Sequence, residues 1–107
     1  MTAKEFVKLF YEEKNYSLKL YFDNLEDSEV GVEIKSLNLE QEQMEKMKTI
    51  VDKVMIDTMY TILLGLDGSA SIGDVQQEYE IYDENGCKLT NCGEIEEYAY
   101  EYFQERE

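Results

Sequence analysis

The sequence contains no histidine, no proline and only two cysteines. Without histidine there is no Ser-His or Cys-His nucleophile pair and no histidine-ligated metal, which removes most hydrolase chemistry. Cys87 and Cys92 have neither the two-residue gap of a redox or zinc pair nor the company of further cysteines, so they indicate a reducing, cytoplasmic setting. Because prolines and linker-like tracts are absent, the 107 residues (1–107) are predicted to form a single globular domain.

Basic residues are also scarce, since 10 Lys and Arg stand against 25 Asp and Glu, for a net charge of −15. Residues 54–107 hold 13 acidic residues but only Lys88 and Arg106, so the C-terminal half is the acidic half. Such a field repels nucleic-acid backbones and anionic lipids and attracts basic proteins. We therefore expect no direct nucleic-acid binding. The charge serves either a basic partner or, in the simpler interpretation, only the solubility of an acidic, bacterial-type surface.

Long hydrophobic runs are lacking as well. The most apolar stretch, 54–66, is interrupted by Asp57, flanked by Lys53 and Asp67, and shorter than the ~20 residues that cross a bilayer. The N-terminus does not combine a basic start with an apolar block, so it does not resemble a secretory signal. These features predict no membrane association and a cytoplasmic location.

The apolar pattern centres on one long helix, predicted at about 40–66. Its second half, from 54 onwards, is apolar nearly all round, which predicts burial on nearly all sides. Asn38 is the predicted N-cap, and the glycines of the following loop predict that the helix ends near Leu66. Its first half predicts one buried stripe, formed by Met44, Met47, Ile50, Val51 and Val54.

The N-terminal third predicts further helices. Thr2 and Glu5 fit a capping box, which predicts a helix over 2–13. Residues 16–25 fit both a strand and a helix, and we favour a helix capped by Asn15. Residues 30–37 fit both templates equally and stay open between helix and strand.

The C-terminal third supplies the predicted β structure. Residues 75–82 alternate between two faces, and Asn85-Gly86 is typical of a tight hairpin turn, so an antiparallel β-hairpin is predicted at about 75–90. Ile95 begins an uninterrupted helical repeat, which predicts a C-terminal helix at about 94–105. The predicted fold class is therefore α+β, a mainly helical domain around the long central helix.

Acidic residues cluster along the predicted hairpin and last helix, with tyrosines interleaved. A helix that follows a hairpin after a short break commonly packs back against it, so these side chains are expected to share a surface. Tyrosine is enriched at binding hot spots. The alternative is a solvated acidic face whose tyrosines belong to the core. The candidate partner-binding residues are Glu78, Glu80, Asp83, Glu84, Glu94, Glu96, Glu97, Tyr100 and Glu101.

The pattern predicts a non-catalytic binding or inhibitor protein, without a cofactor, that engages a basic toxin or nucleic-acid-binding protein. It would act as an immunity protein or as a nucleic-acid mimic whose carboxylates replace phosphates. One alternative is a small phosphoryl-transfer enzyme in which Asp57, Asp67 and Asp74 converge on Mg²⁺. Another is a homo-oligomeric structural protein, although the net charge of −15 favours a monomer or weak homodimer.

Overall fold

The computed structural model describes residues 1–90 and 93–105. These residues form four α-helices, joined or continued by two short helical turns. The α-helices are α1 (Ala3–Asp23), α2 (Glu29–Ser36), α3 (Gln41–Leu66) and α4 (Glu94–Tyr100). The short turns are a 3₁₀ turn (Leu25–Asp27) before α2 and a π-helical turn (Glu101–Glu105) after α4. Along the described residues, none of the helices has the length and hydrophobicity needed to cross a membrane.

The architecture is helical, so the predicted α+β class with a β-hairpin at 75–90 is wrong. Within the described ranges, β pairing is confined to isolated antiparallel bridges. One joins Ile72 to Val75 and another joins Tyr82 to Lys88. The alternation that predicted a strand therefore lies in a segment that forms no β-ladder.

Side chains explain why the pairing around Tyr82 stops after one step. The N–H of Cys87 donates to Asp83 Oδ1 (2.9 Å), and the N–H of Ile81 donates to Thr90 Oγ1 (3.2 Å). In an antiparallel ladder these two donors would bond to backbone carbonyls of the facing strand. Because side-chain oxygens take both donors, the ladder cannot extend.

The tight turn also lies elsewhere than predicted. Gly73 and Asp74 have positive φ angles of 58° and 65°, the combination that a two-residue type I′ turn requires. At the predicted turn only Gly86 has a positive φ (81°), and its N–H donates to the carbonyl of Asp83 (3.1 Å). The Asn85-Gly86 sequence therefore forms a wider turn than its composition predicts.

α1 begins as the capping box predicts. The N–H of Thr2 donates to Glu5 Oε1 (2.9 Å), and the N–H of Glu5 donates to Thr2 Oγ1 (3.1 Å), so the two residues satisfy each other. The helix then runs on to Asp23, and Asn15 lies inside it instead of capping a second helix. The stretch 16–25 is thus helical as far as Asp23.

The ambiguous segment 30–37 is helical as well, because α2 covers residues 29 to 36. Ser28 Oγ accepts the N–H of Gly31 (2.9 Å) and caps the helix. Gly31 lies against the backbone of Leu25, which an added Cβ would overlap. This close approach explains why a glycine stands at position 31 inside the helix.

α3 ends at Leu66 as predicted, through a Schellman motif. The N–H of Ser69 donates to the carbonyl of Leu64 (3.0 Å), and the N–H of Gly68 to that of Gly65 (3.1 Å), while Gly68 takes a φ of +83°. The prediction for the other end is wrong, because Asn38 does not cap α3. Its φ is +51°, and its N–H donates to the carbonyl of Lys35 (3.1 Å) at the end of α2.

α3 is less buried than its composition predicts. Leu63 is fully buried, but Val54 is 57% exposed, Ile50 48% and Ile62 39%. Neighbouring segments cover only one side of the helix, and the remaining apolar residues face water. The predictions of all-round burial from 54 onwards and of a fully buried stripe before it are therefore wrong.

The chain divides into two compact units, residues 1–11 with 56–107 and residues 12–55. The core lies in the first unit, where the Tyr11 ring packs 5.5 Å from that of Tyr102 and 5.6 Å from that of Phe103. The helical repeat that begins at Ile95 forms a buried stripe in this core. The buried core residues are Ala3, Val7, Leu63, Leu89, Ile95, Ala99, Tyr102 and Phe103.

The second unit, residues 12–55, is held partly by an ion pair. Lys14 Nζ donates to Asp52 Oδ1 at 2.7 Å, and the Lys14 side chain is only 5% exposed. A buried ammonium needs such a partner, because its desolvation would otherwise oppose folding. The pair therefore joins α1 to α3 at a fixed register.

Candidate functional site

An open groove of about 550 Å³ lies beside α4 in the first unit. It is lined by two tyrosines, one glycine and four glutamates, and none of its lining residues is basic. We call it the acidic groove. Its lining residues are Tyr60, Gly93, Glu96, Glu97, Tyr100, Glu101 and Glu105.

The groove is positioned by a contact between the end of α3 and the start of α4. Asp67 Oδ2 accepts the N–H of Glu96 (2.9 Å), one of the N–H groups that a helix leaves unbonded in its first turn. Gly93 precedes the helix with a φ of +81°, a conformation that glycine adopts without strain. Together these contacts set α4 beside Tyr60 of α3.

The glutamates of the groove share one side of the C-terminal helical segment. Glu97, Glu101 and Glu105 recur every four residues, a spacing that places side chains on one face. The carboxylates of Glu96, Glu97 and Glu105 make no hydrogen bond or ion pair within residues 1–90 and 93–105. Like charges at this spacing destabilise a helix by about 0.2–0.5 kcal/mol per pair. Cations in the groove would relieve that repulsion.

Two tyrosine rings complete the acidic groove. Burial raises the pKa of Tyr60, and the nearby Glu96 carboxylate and the Tyr100 hydroxyl raise that pKa further. The Tyr60 hydroxyl therefore stays protonated at neutral pH and can donate a hydrogen bond. Tyr100 is 51% exposed, so its ring is open to a partner. Aromatic faces beside carboxylates favour ammonium and guanidinium groups.

Four of the nine predicted partner-binding residues line the groove, namely Glu96, Glu97, Tyr100 and Glu101. The structure does not bring the other five into it. Glu80 pairs with Lys88 (3.4 Å) on the loop before α4. The remaining predicted residues outside the groove are Glu78, Glu84 and Glu94, which are exposed, and Asp83.

Asp83 has a structural role instead. Its Oδ1 accepts the N–H groups of Asn85 and Cys87 (both 2.9 Å), and its Oδ2 lies 2.7 Å from the N-terminal ammonium of Met1. The ammonium and the N–H of Cys87 hold the pKa of this carboxyl below its ordinary value. Since the side chain is only 9% exposed, it offers little to a partner.

Sequence reasoning missed three lining residues, Tyr60, Gly93 and Glu105. Tyr60 lies in the apolar half of α3, so its composition assigned it to the core, and no local signal marks it otherwise. Glu105 continues the four-residue spacing of Glu97 and Glu101, which could have identified it. Tyr98, in contrast, is half-buried, with Lys4 Nζ 5.9 Å from the centre of its ring.

The three carboxylates of the magnesium hypothesis do not form a site. Among the described residues, no group of three or more acidic, cysteine or histidine side chains could hold a metal ion. Asp67 is engaged by the Glu96 N–H, and Asp74 forms the tight turn of the loop. The convergence that this hypothesis requires is therefore not present in the described chain.

Comparison with known proteins gives no family assignment, because no family model, curated protein or solved structure matches this chain. The functional argument therefore rests on the chemistry of the acidic groove and its surroundings.

Proposed function

We propose that this chain is a non-catalytic binding protein whose acidic groove engages a segment rich in arginine and lysine on a basic protein. The observation that supports the proposal is the lining of the groove. Four glutamates and two tyrosines meet in about 550 Å³ without one basic lining residue. A cationic segment would satisfy carboxylates that are close to one another and would reduce their mutual repulsion.

The groove would recognise cations in two ways. Its carboxylates would accept charge-assisted hydrogen bonds from guanidinium or ammonium groups, as phosphates do in nucleic acids. Tyr60 and Tyr100 would add aromatic contact area, which often dominates binding energy at interfaces. The surrounding negative field would speed association, and added salt would slow it, since exposed charges are screened over about 8 Å at physiological ionic strength.

This chemistry suits an inhibitor of a basic protein, either a toxin or a nucleic-acid-binding protein. In the first case the chain would resemble an immunity protein in its action, and in the second a nucleic-acid mimic. The exposed thiol of Cys87 fits action in the cytoplasm, where thiols stay reduced. Displacement of bound DNA from a basic target would identify the mimic.

The test compares two triple variants with equal loss of charge. Glu96, Glu97 and Glu101 become Gln in the groove variant, and Glu13, Glu42 and Glu45 become Gln in the control. The control residues are exposed in the other unit, and their side chains have no partner within the described chain. Each variant removes three charges from the net −15.

Binding of a fluorescent Arg- and Lys-rich peptide is measured at several salt concentrations. We expect the groove variant to bind the peptide roughly tenfold more weakly than the control, because it loses specific contacts in addition to net charge. A tenfold loss of affinity corresponds to about 1.4 kcal/mol of binding free energy. Equal weakening by the two variants would mean that only net charge matters. An affinity that does not change with salt concentration would also contradict the proposal.

A further inference from the structure

A second groove, of about 340 Å³, lies on α3 and the loop that follows it. Its lining combines two isoleucines with small polar residues and a single acidic residue. We call it the isoleucine groove. Its lining residues are Asp57, Thr58, Thr61, Ile62, Ser71, Ile72 and Gly73.

The loop that forms one wall of this groove is fixed against α3. Ile72 packs so closely on Gly65 that an added Cβ there would overlap the Ile72 side chain. Gln76 Nε2 donates to the carbonyl of Gly68 (2.6 Å) and ties the far side of the loop back to the end of α3. The groove is therefore formed before any partner arrives, which lowers the entropic cost of docking.

Three aliphatic side chains make an exposed patch around this groove. Ile62 is 39% exposed, Ile72 36% and Val75 57%. Ile72 and Val75 exchange two backbone hydrogen bonds of 3.1 Å. Directly opposed residues of an antiparallel pair project to the same face, so Val75 extends the patch that Ile72 begins.

The charge around the patch selects its occupant. Asp57 is exposed and has no hydrogen-bond or ion-pair partner within the described chain. The unit formed by residues 1–11 and 56–107 carries 14 acidic and 4 basic residues, a net charge of −10. A second copy docked here would bring two such units together, with Asp57 of each copy in the contact. A segment with both aliphatic and cationic side chains has the complementary charge.

We propose that the isoleucine groove docks a basic amphipathic helix, with an aliphatic side chain against Ile62 and Ile72 and a Lys or Arg beside Asp57. The groove runs along one face of α3. In helix-in-groove recognition, an amphipathic helix lays its apolar face into a groove of this kind. This inference rests on the proposed function, since the helix belongs to the same basic partner. It adds that the partner is amphipathic and is held by apolar contact as well as by charge.

The test uses two probe peptides of identical composition. One is an amphipathic Leu/Lys helix, and the other is the same composition scrambled so that no apolar face forms. The docking variant carries Ile62→Thr and Val75→Thr. The control carries Ile50→Thr and Val54→Thr, which are at least as exposed as the docking pair and lie on α3 in the other unit. The Asp57→Asn variant is compared with Asp23→Asn, another exposed aspartate.

We expect the natural chain to bind the amphipathic peptide roughly tenfold more tightly than the scrambled one, and the docking variant to lose that preference. Asp57→Asn should weaken amphipathic binding further than Asp23→Asn. Equal binding of both peptides overturns the inference and leaves the acidic-groove proposal intact. If neither peptide binds in a salt-dependent manner, the acidic-groove proposal itself fails. A sedimentation-detected dimer that only the docking variant abolishes would assign the groove to a second copy and overturn the inference.

Discussion

The carboxylate of Asp67, just beyond the end of α3, accepts a hydrogen bond of 2.9 Å from the backbone N–H of Glu96 in the first turn of α4. The bond spans 29 residues of sequence and sets the α4 side of the acidic groove beside Tyr60 of α3. An aspartate that sequence analysis treats as a metal ligand thus acts as a helix cap.

Replacing Asp67 with Ala should therefore destabilise the chain and loosen the acidic groove. Loss of a capping carboxylate typically costs about 1 kcal/mol. Asp57→Ala is the matched control, because the exposed Asp57 side chain bonds to nothing in the described chain. Urea denaturation measures both. If Asp67→Ala and Asp57→Ala have equal midpoints, the cap contributes nothing.

The titration of Tyr60 checks the geometry of the acidic groove directly. Burial raises the pKa of this hydroxyl most, and Glu96 raises it further. Glu96→Gln should therefore lower the pKa of Tyr60 without returning it to the ordinary value, because the burial remains. Glu94→Gln, which removes a charge outside the groove, is the control. Tyrosine Cζ chemical shifts followed against pH measure the change in this pKa. An equal effect of both variants would show that Glu96 is not close enough to Tyr60 to raise its pKa specifically.

Gly65→Ala should destabilise the chain although alanine is the better helix former. The substitution gains about 1 kcal/mol in helix propensity. Overpacking against Ile72 typically costs about 1–3 kcal/mol, so we expect a net loss. Relative to Ile72→Ala alone, adding Gly65→Ala should be neutral or stabilising, because the opposing Ile72 side chain is gone. Thermal denaturation of the four proteins of this cycle decides; a loss that persists in the Ile72→Ala background would refute the contact.

The pair between Asp83 and the Met1 ammonium should give a stability difference that depends on pH. Asp83 has a lowered pKa, so its contribution is full above the ordinary value of 3.8 and disappears as pH falls through the lower folded value. The ammonium has a raised pKa, so its contribution is full below 8.0 and disappears as pH rises through the higher folded value. The Asp83→Asn variant should therefore differ most from the natural chain between about pH 4 and pH 8.

Urea midpoints measured from pH 2 to pH 10 test this expectation. Glu84→Gln is the control, since Glu84 is the exposed neighbour of Asp83 in the same turn. A stability difference that stays constant across the whole range would show that Asp83 acts through packing and not through its charge.

Local signals in the sequence predicted two of the helix ends correctly, the start of α1 and the end of α3. The Thr2–Glu5 box and the glycine stop after Leu66 form as expected, because each depends on residues at most five apart. The buried stripe that starts at Ile95 is also present, since a regular repeat needs only one neighbour to cover it. These features require no knowledge of distant contacts.

The errors arise where a distant or side-chain partner competes. The hairpin does not form because the side chains of Asp83 and Thr90 accept the N–H groups that a ladder needs. Strand propensity does not include this competition. Val54 and Ile62 stay exposed because burial depends on which segments cover α3. Tyr60 lines the acidic groove only because α4 lies beside it. The lining residues between 96 and 101 were therefore predictable from the sequence, whereas Tyr60 was not.

The core also dictates an order of events during synthesis. Ala3 and Val7 are buried with Ile95 and Ala99, so the contact closes a loop of about 90 residues. During synthesis the residues near 100 emerge long after α1, and until then the apolar side of α1 has no completed core to join. We therefore expect the nascent chain to carry α1 with its apolar face uncovered until α4 has emerged, and this unit to fold only after that point.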